Sequence, residues 1–142
     1  MVRRIGPRSR RFGERSEPRL IGSWQKHRLE LEKALYFHDY LIRNTAYSDQ
    51  NTTYCTSEWG VFLKGKGNCQ GYAKAYALLL QKVHIPVKFA NSYSMMHMWN
   101  VVRLQGKWYH VDLTWDDPLN PNTHKDQPGL VLHENFLCST SY

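Results

Sequence analysis

Hydrophobic and polar residues alternate with a helical period in two stretches of the chain. In the first, from about residue 25 to residue 44, apolar side chains return roughly once per helical turn, with charged residues between them. This segment is predicted to be a long amphipathic helix. The apolar positions that carry the period are Leu31, Leu35, Tyr36, Tyr40, Leu41 and Ile42.

The second helical stretch is predicted to begin at Cys69 and to end before Pro86, because proline cannot continue a helix. Its apolar residues lie at positions i, i+3, i+4 and i+7, which is the pattern of a helix face turned toward a core. They are Ala73, Tyr76, Ala77 and Leu80. Leu78 and Leu79 widen this stripe and predict burial on more than one side.

After Pro86 the pattern becomes that of β-strands. Residues 87–93, 97–104 and 107–114 are predicted strands, and the apolar stretch 129–137 predicts one more. Gln105-Gly106 separates the second and third strands, and a two-residue connection with glycine is typical of a tight hairpin. Helices followed by an antiparallel sheet predict an α+β fold.

The hairpin turn predicts which side chains meet across the sheet. If Gln105 and Gly106 form the turn, Trp99 lies opposite Asp112, and His97 shares their face of the sheet. His97 and Asp112 are then diagonal neighbours, with Cβ atoms about 7–8 Å apart. An imidazole and a carboxylate at that distance can form a hydrogen bond, and the carboxylate would fix the ring tautomer.

Cys69 lies where a glycine-containing loop becomes a helix. The unpaired N–H groups and the partial positive charge of a helix N-terminus stabilise a thiolate and can hold an oxyanion. Gly65, Gly67 and Gly71 leave room for a substrate backbone. We therefore interpret Cys69 as a nucleophile, with His97 as base and Asp112 orienting it. The alternative for Cys69 is a small buried core residue.

His110 is an alternative base, because it lies on the same predicted face two residues before Asp112. The other histidines show no cysteine or carboxylate pattern and are interpreted as surface or satisfied polar residues: His27, His38, His84, His124 and His133. No histidine pair has the spacing of a metal site, so neither a metal nor another cofactor is expected. Of the tryptophans, Trp59, Trp99, Trp108 and Trp115 are candidates for an acyl groove, although most are expected in the core.

The net charge of +7 is concentrated at one end of the chain. Residues 1–20 contain seven Arg and two Glu (7 − 2 = +5), and the rest contains twelve Lys+Arg and ten Asp+Glu (12 − 10 = +2). We interpret residues 1–24 as a flexible basic arm and residues 25–142 as the folded domain, with no specific nucleic-acid partner expected. A nucleic-acid-binding arm is the alternative.

Localisation is inferred from what the sequence lacks. No apolar run approaches the roughly 18 residues that a bilayer requires, and no apolar segment follows the basic N-terminal residues as in a secretory signal. The three cysteines, Cys55, Cys69 and Cys138, include no Cys-x-x-Cys pair, which argues against a zinc knuckle or a disulfide framework. A reduced, cytoplasmic protein is expected.

Three segments resemble the transglutaminase-like superfamily, in the order that the family uses. KGNCQGYA at 66–73 resembles its nucleophile segment, HMWNVV at 97–102 its histidine strand, and GKWYHVDLTWD at 106–116 its aspartate strand. The residues of these motifs resemble the microbial and cytokinesis-associated peptidase-like branch more than the animal transglutaminases. The resemblance covers roughly residues 30–137; the arm before it has no counterpart, and relatives commonly continue with more sheet, so the domain is expected to be shortened at its C-terminus.

The resemblance implies a papain-like α+β core with Cys69, His97 and Asp112 as catalytic triad. It also implies acyl transfer on protein or peptide amides through a thioester, with peptide or amide hydrolysis ranked above glutamine cross-linking. The partner would then be a protein or peptide substrate. The alternative is a non-catalytic protein-binding module that keeps the fold, although such members usually lack a triad residue.

Overall fold

The computed structural model describes residues 17–139, with side chains described from residue 25. Three α-helices, α1 (Glu17–Asn44), α2 (Cys69–Lys82) and the short α3 (Leu113–Asp116), accompany a π-helical segment at Gly60–Lys64. A small parallel pair joins β1 (Ala46–Tyr47) to β2 (Lys66–Gly67), and a larger sheet is formed by four antiparallel strands in the order β3-β4-β5-β6. These four are β3 (Val87–Ser92), β4 (His97–Leu104), β5 (Lys107–Val111) and β6 (Phe136–Ser139).

The first helix begins at Glu17, eight residues before the predicted start at residue 25. Pro18 falls in the first turn, where its missing N–H would have no intrahelical partner in any case. The helix thus includes residues 17–24 of the predicted basic arm, and residues 1–16 of that arm lie outside the described part of the chain. No helix among residues 17–139 is long and apolar enough to cross a membrane.

The buried face of α1 differs from the face that the apolar spacing suggested. Ala34, His38, Leu41 and Ile42 are buried, whereas Leu31, Leu35, Tyr36 and Tyr40 are exposed. His38 can face the core because Asp116, which is also buried, forms a hydrogen bond with its ring. A prediction based on the spacing of apolar residues cannot identify a polar residue that is buried in the core.

The second helix follows its prediction more closely. Ala73, Tyr76, Ala77 and Leu80 are all buried, although Leu78 is 37% exposed. The helix packs between the sheet and α1, and two hydrogen bonds join these layers. The Asn100 side chain on β4 donates to the carbonyl of Ala73 (3.0 Å), and the Tyr76 hydroxyl donates to the carbonyl of Ala34 (2.9 Å).

The hairpin between β4 and β5 has the predicted register. Leu104 pairs with Lys107 and Asn100 with Val111, so the turn residues are Gln105 and Gly106. Both have positive φ (53° and 77°), as a type I′ turn requires. Strand β5, which was predicted to run from residue 107 to residue 114, ends at Val111 because Asp112 caps α3. The predicted last strand is the shorter β6, Phe136–Ser139.

Candidate active site

Cys69 is the first residue of α2, at the predicted loop-to-helix junction. The preceding Asn68 caps the helix: its side-chain oxygen accepts the N–H groups of Gln70 (3.0 Å) and Gly71 (3.3 Å). The cap holds the start of the helix in one place, and Asn68 N–H is itself anchored to the carbonyl of Cys55 (2.8 Å). The position of the sulfur is therefore determined by the backbone on both sides of it.

Glycine at position 71 allows the close approach that this anchoring needs. A Cβ there would lie 2.4 Å from the carbonyl oxygen of Cys55, a distance that no real side chain tolerates. Room for this carbonyl, rather than for a substrate, is the observed reason for Gly71. Cys55 is buried and Cys138 exposed, whereas Cys69 is partly accessible; all three are free thiols.

His97 and Asp112 meet as the register predicted. His97 Nε2 lies 2.6 Å from Asp112 Oδ2, and each side chain is 9% exposed. The other carboxylate oxygen, Oδ1, accepts the N–H of Trp115 (3.1 Å) as the cap of α3. Since one oxygen holds the helix and the other holds the imidazole, Asp112 fixes the ring relative to the backbone.

Cys69 and His97 are hydrogen-bonding neighbours. The interaction with His97 is the main reason that the pKa of Cys69 lies below its ordinary value; burial opposes it, and the N–H groups of Met98 and Gln70 reinforce it. Nε2 is engaged by Asp112, so Nδ1 is the ring nitrogen available to the thiol.

The pKa of His97 moves in the opposite direction. Burial would lower it, but the hydrogen bonds with Asp112 and Cys69 outweigh burial and raise the pKa to about 9. A lowered thiol pKa beside a raised imidazole pKa favours the thiolate–imidazolium pair near neutral pH.

Two indole rings stack on the His97 imidazole. The ring centroid of Trp115 lies 5.1 Å away and that of Trp99 5.7 Å away, with interplanar angles of 8° and 22°. Trp99 Nε1–H donates to His110 Nδ1 (2.8 Å). The alternative base His110 thus holds Trp99, whereas His97 is the histidine that interacts with Cys69.

A cleft of about 290 Å³ opens beside this constellation. Its lining combines polar and aromatic side chains: Met95, His97, Trp99, His110, Asp112, Trp115, Asn135, Cys138 and Ser139. Trp99 and Trp115 therefore line a groove, as considered from the sequence, but Trp59 stacks on Tyr54 and Trp108 lies under Lys88. The expectation that most of these tryptophans are core residues was wrong, since none of the four is buried; tyrosines and aliphatic residues fill the core instead.

Tyr47 is a site residue that sequence reasoning missed. The parallel pairing of β1 with β2 places Tyr47 beside Gly67, and Ser48 N–H donates to the carbonyl of Gly67 (2.9 Å). Burial raises the pKa of Tyr47, and the negative charge of the Cys69 thiolate raises it further. No sequence signal reveals this neighbour, because it depends on a two-residue strand pair.

Comparisons with known proteins agree with this architecture. The sequence model of the Transglutaminase-like superfamily matches residues 20–113, about two thirds of the chain, so this chain belongs to the transglutaminase-like superfamily. A comparison with curated proteins finds no match.

Two solved structures are similar to the described fold. One is that of a TGase, with a TM-score of 0.51 and 16% identity, over 85% of this chain and 38% of that one. The other, a candidate cysteine protease from Cytophaga hutchinsonii, has a TM-score of 0.49 and 19% identity, over 75% of this chain and 41% of that one. The chain spans about two fifths of the length of these structures. The family match and the likeness to the TGase structure show that the fold is the α+β, papain-like core of the family.

Proposed function

We propose that this chain catalyses acyl transfer on protein or peptide amides through a thioester on Cys69. The observation that carries the proposal is the arrangement of three groups: a thiol at a helix N-terminus, an imidazole interacting with it, and a carboxylate 2.6 Å from the far side of that imidazole. Such a set lowers the barrier for a thiol to attack a carbonyl carbon. The predicted domain at residues 25–142, extended at its start to take in all of α1 from Glu17, would be the catalytic unit.

The reaction begins with the thiolate of Cys69 attacking a carboxamide carbon, while the C=O electron pair moves to the oxygen. The tetrahedral intermediate collapses as the C–N bond breaks, and imidazolium His97 donates its proton to the departing amine or ammonia. The thioester that remains is attacked by water or by an amine, whose proton His97 accepts; the C–S bond then breaks, which releases the acid or the new amide and restores the Cys69 thiolate. Asp112 stabilises the imidazolium throughout.

Hydrolysis ranks above cross-linking in this proposal. We infer that water can reach the thioester, because Trp115, which stacks on His97, is 53% exposed and Cys69 is partly accessible. Cross-linking requires exclusion of water and a site for the acceptor amine.

The direct test is mass spectrometry of a glutamine-containing protein incubated with the chain and a labelled amine. Backbone cleavage or deamidation would support hydrolysis, and amine incorporation would support cross-linking. The matched control is Cys69→Ser, which keeps a hydroxyl in place of the thiol. The parent chain is tested against a panel of such proteins. If none of these products exceeds the background seen with Cys69→Ser, the binding-module alternative is favoured.

We propose Tyr47 as a donor to the oxyanion, because its strand pairs with the residues just before Cys69, burial and the charge of the Cys69 thiolate raise its pKa, and its phenol therefore keeps its proton at neutral pH. Tyr47→Phe removes the hydroxyl alone and should lower kcat by roughly 10²-fold, the scale of losing one oxyanion donor. Steady-state kinetics with the substrate found above would measure it. Tyr54→Phe, which alters an exposed tyrosine, is the control. An unchanged kcat in Tyr47→Phe would remove Tyr47 from the mechanism.

A further inference from the structure

A second cluster of ionisable side chains lies outside the catalytic constellation. His38 and Asp39 are adjacent on α1, and His133 precedes β6. Asp39 Oδ1 lies 2.9 Å from His38 Nδ1 and 2.7 Å from His133 Nε2. One ligand atom from each of the three residues lies within 4.8 Å of the other two, so a single ion could contact all three.

A buried carboxylate orients the inner histidine. His38 Nε2 lies 2.9 Å from Asp116 Oδ2, and both side chains are fully buried. Asp116 Oδ1 accepts two further hydrogen bonds from Asn135, from its backbone N–H (2.9 Å) and its side-chain amide (3.0 Å). A carboxylate that holds the outer N–H of an imidazole is the usual partner of a metal-ligating histidine.

A count of the N–H donors of His38 against the carboxylate oxygens around it indicates that a proton or a cation is needed between His38 and Asp39. A neutral imidazole has one N–H, which can go to Asp116 or to Asp39 but not to both; given to Asp116, it leaves Nδ1 without a proton. Nδ1 of His38 then presents a lone pair to the Asp39 oxygen 2.9 Å away, so two acceptors face each other. A proton can join them, but only by placing an imidazolium in a fully buried position between two carboxylates. A metal cation joins the same atoms and also satisfies His133.

We propose that His38 Nδ1, Asp39 Oδ1 and His133 Nε2 form a site for a divalent transition metal of the zinc class. Two imidazole nitrogens and one carboxylate oxygen are a ligand set typical of zinc, with water completing a tetrahedron. Zinc bonds of about 2.0–2.1 Å would hold these ligand atoms roughly 3.3 Å apart. The two spacings to Asp39 Oδ1 would widen by about half an ångström, and His133, whose side chain is 46% exposed, has the freedom to move.

The site would join two distant parts of the chain. His133 and Asp39 are 94 residues apart, and Asn135, just beyond His133, accepts the N–H of Asp112 on its backbone carbonyl (2.9 Å). The metal would thus tie α1 to the segment that supports Asp112. This inference departs from the expectation, based on histidine spacing alone, that no metal is bound, and it does not depend on the proposed acyl transfer.

The test is metal binding by the full chain carrying Cys69→Ser and Cys138→Ser, which removes the accessible thiols. After treatment with a chelator, zinc binding is measured by calorimetry and cobalt binding by visible absorption. We expect one equivalent of metal at this site and a rise in melting temperature. His133→Ala should weaken zinc binding by at least about tenfold, since removing a ligand costs no less than removing its outer partner.

The matched control is His27→Ala, which removes another histidine of α1 that contributes nothing to the cluster. It should bind zinc as the parent does. Zinc binding unchanged in His133→Ala, or equally lost in His27→Ala, would overturn the proposal, as would an absence of binding. If His133→Ala were unfolded by circular dichroism, the cobalt spectrum of the parent decides: N/O-type bands support the site, and a thiolate charge-transfer band contradicts it.

Discussion

At the residue scale, the chemistry of the site rests on the two oxygens of Asp112. Oδ2 binds His97, and Oδ1 caps α3 through the N–H of Trp115. Both roles need an acceptor, but only the first needs a negative charge. The two roles can therefore be separated by substitution.

Asp112→Asn should keep most of the stability and lose most of the activity, whereas Asp112→Ala should lose both. The amide oxygen of Asn can still cap α3, but an uncharged partner no longer stabilises imidazolium His97. We expect kcat to fall by about 10²–10⁴-fold in both variants. Only Asp112→Ala should lose the roughly 0.5–2 kcal/mol of a helix cap. Urea unfolding and kinetics measure the two effects; equal stability of Asn and Ala variants would contradict the capping role.

The opposed pKa shifts of Cys69 and His97 predict a pH window for the thiolate–imidazolium pair. It opens at the lowered pKa of Cys69 and closes as His97 loses its proton near its pKa of about 9. Iodoacetamide should therefore label Cys69 faster than Cys55 or Cys138 near neutral pH. His97→Ala should move the rise in labelling of Cys69 to higher pH, because the main cause of its lowered pKa is gone.

Peptide mapping of labelled samples across pH measures this, with Cys138 as the exposed reference thiol in the same molecule. Equal labelling rates at Cys69 and Cys138 throughout the range would show that His97 does not activate the sulfur.

At the scale of elements, the start of α2 is held by contacts that a glycine makes possible. Asn68 caps the helix and is anchored to the carbonyl of Cys55, and the same carbonyl occupies the space where Gly71 would carry a Cβ. The helix N-terminus and the loop at Cys55 are thus packed backbone to backbone.

Gly71→Ala should destabilise the protein, against the usual preference of helices for alanine. The added Cβ would lie 2.4 Å from the Cys55 oxygen, and the backbone must shift to relieve it. We expect a loss of about 1–3 kcal/mol in the free energy of unfolding, the scale of overpacking. Urea denaturation measures it, with Gln70→Ala as the control in the same turn. If Gly71→Ala left the free energy of unfolding unchanged or raised it, the loop at Cys55 would be able to shift at little energetic cost.

The sheet positions the other half of the site through its register. Because the type I′ turn at Gln105-Gly106 sets the pairing of β4 with β5, His97 and Asp112 are brought to the same end of the hairpin. The aromatic rings of Trp99, on β4, and of Trp115, on α3, then stack on His97. A one-residue slip would turn the carboxylate away.

At the scale of the whole molecule, buried polar groups join elements that are far apart in sequence. Tyr72 on α2 donates its hydroxyl to the Asp117 carboxyl and to the carbonyl of Thr45. Burial raises the pKa of Asp117 to about 7, the charge of Asp126 adds to this, and the hydrogen bond from Tyr72 opposes it. Folding therefore favours the protonated carboxyl at position 117.

Asp117→Asn should make stability less dependent on pH. Between the ordinary pKa of 3.8 and about 7, the unfolded chain has lost the Asp117 proton while the folded chain keeps it. The wild-type free energy of unfolding therefore falls as pH rises through this range, and the full loss remains above it. Asn stays neutral, so the stability of the variant relative to that of the wild type should increase from about pH 5 to about pH 8.

Urea unfolding at both pH values measures the effect, with the exposed Asp49→Asn as a control for the loss of one charge. A difference between Asp117→Asn and wild type that is the same at both pH values would contradict a raised pKa at Asp117.

Much of the geometry of the candidate site could be predicted because it depends on local rules. A glycine-containing loop followed by a periodic apolar stripe locates Cys69 at a helix start, and a two-residue turn with strand alternation brings His97 to Asp112. These patterns span few residues, and turn geometry and helix capping are properties of the local backbone. The family resemblance rests on the same segments.

Tertiary structure decided what depends on distant partners. The inward turn of His38 needs Asp116, 78 residues away, and the contact of His133 with Asp39 spans 94 residues. Beyond the effect of burial, Tyr47 comes near enough to Cys69 for the thiolate charge to raise its pKa only because β1 and β2 pair. Hydrophobic periodicity could not reveal these contacts, because a buried polar side chain is recognised by the partner that satisfies it, and chain folding alone brings that partner near.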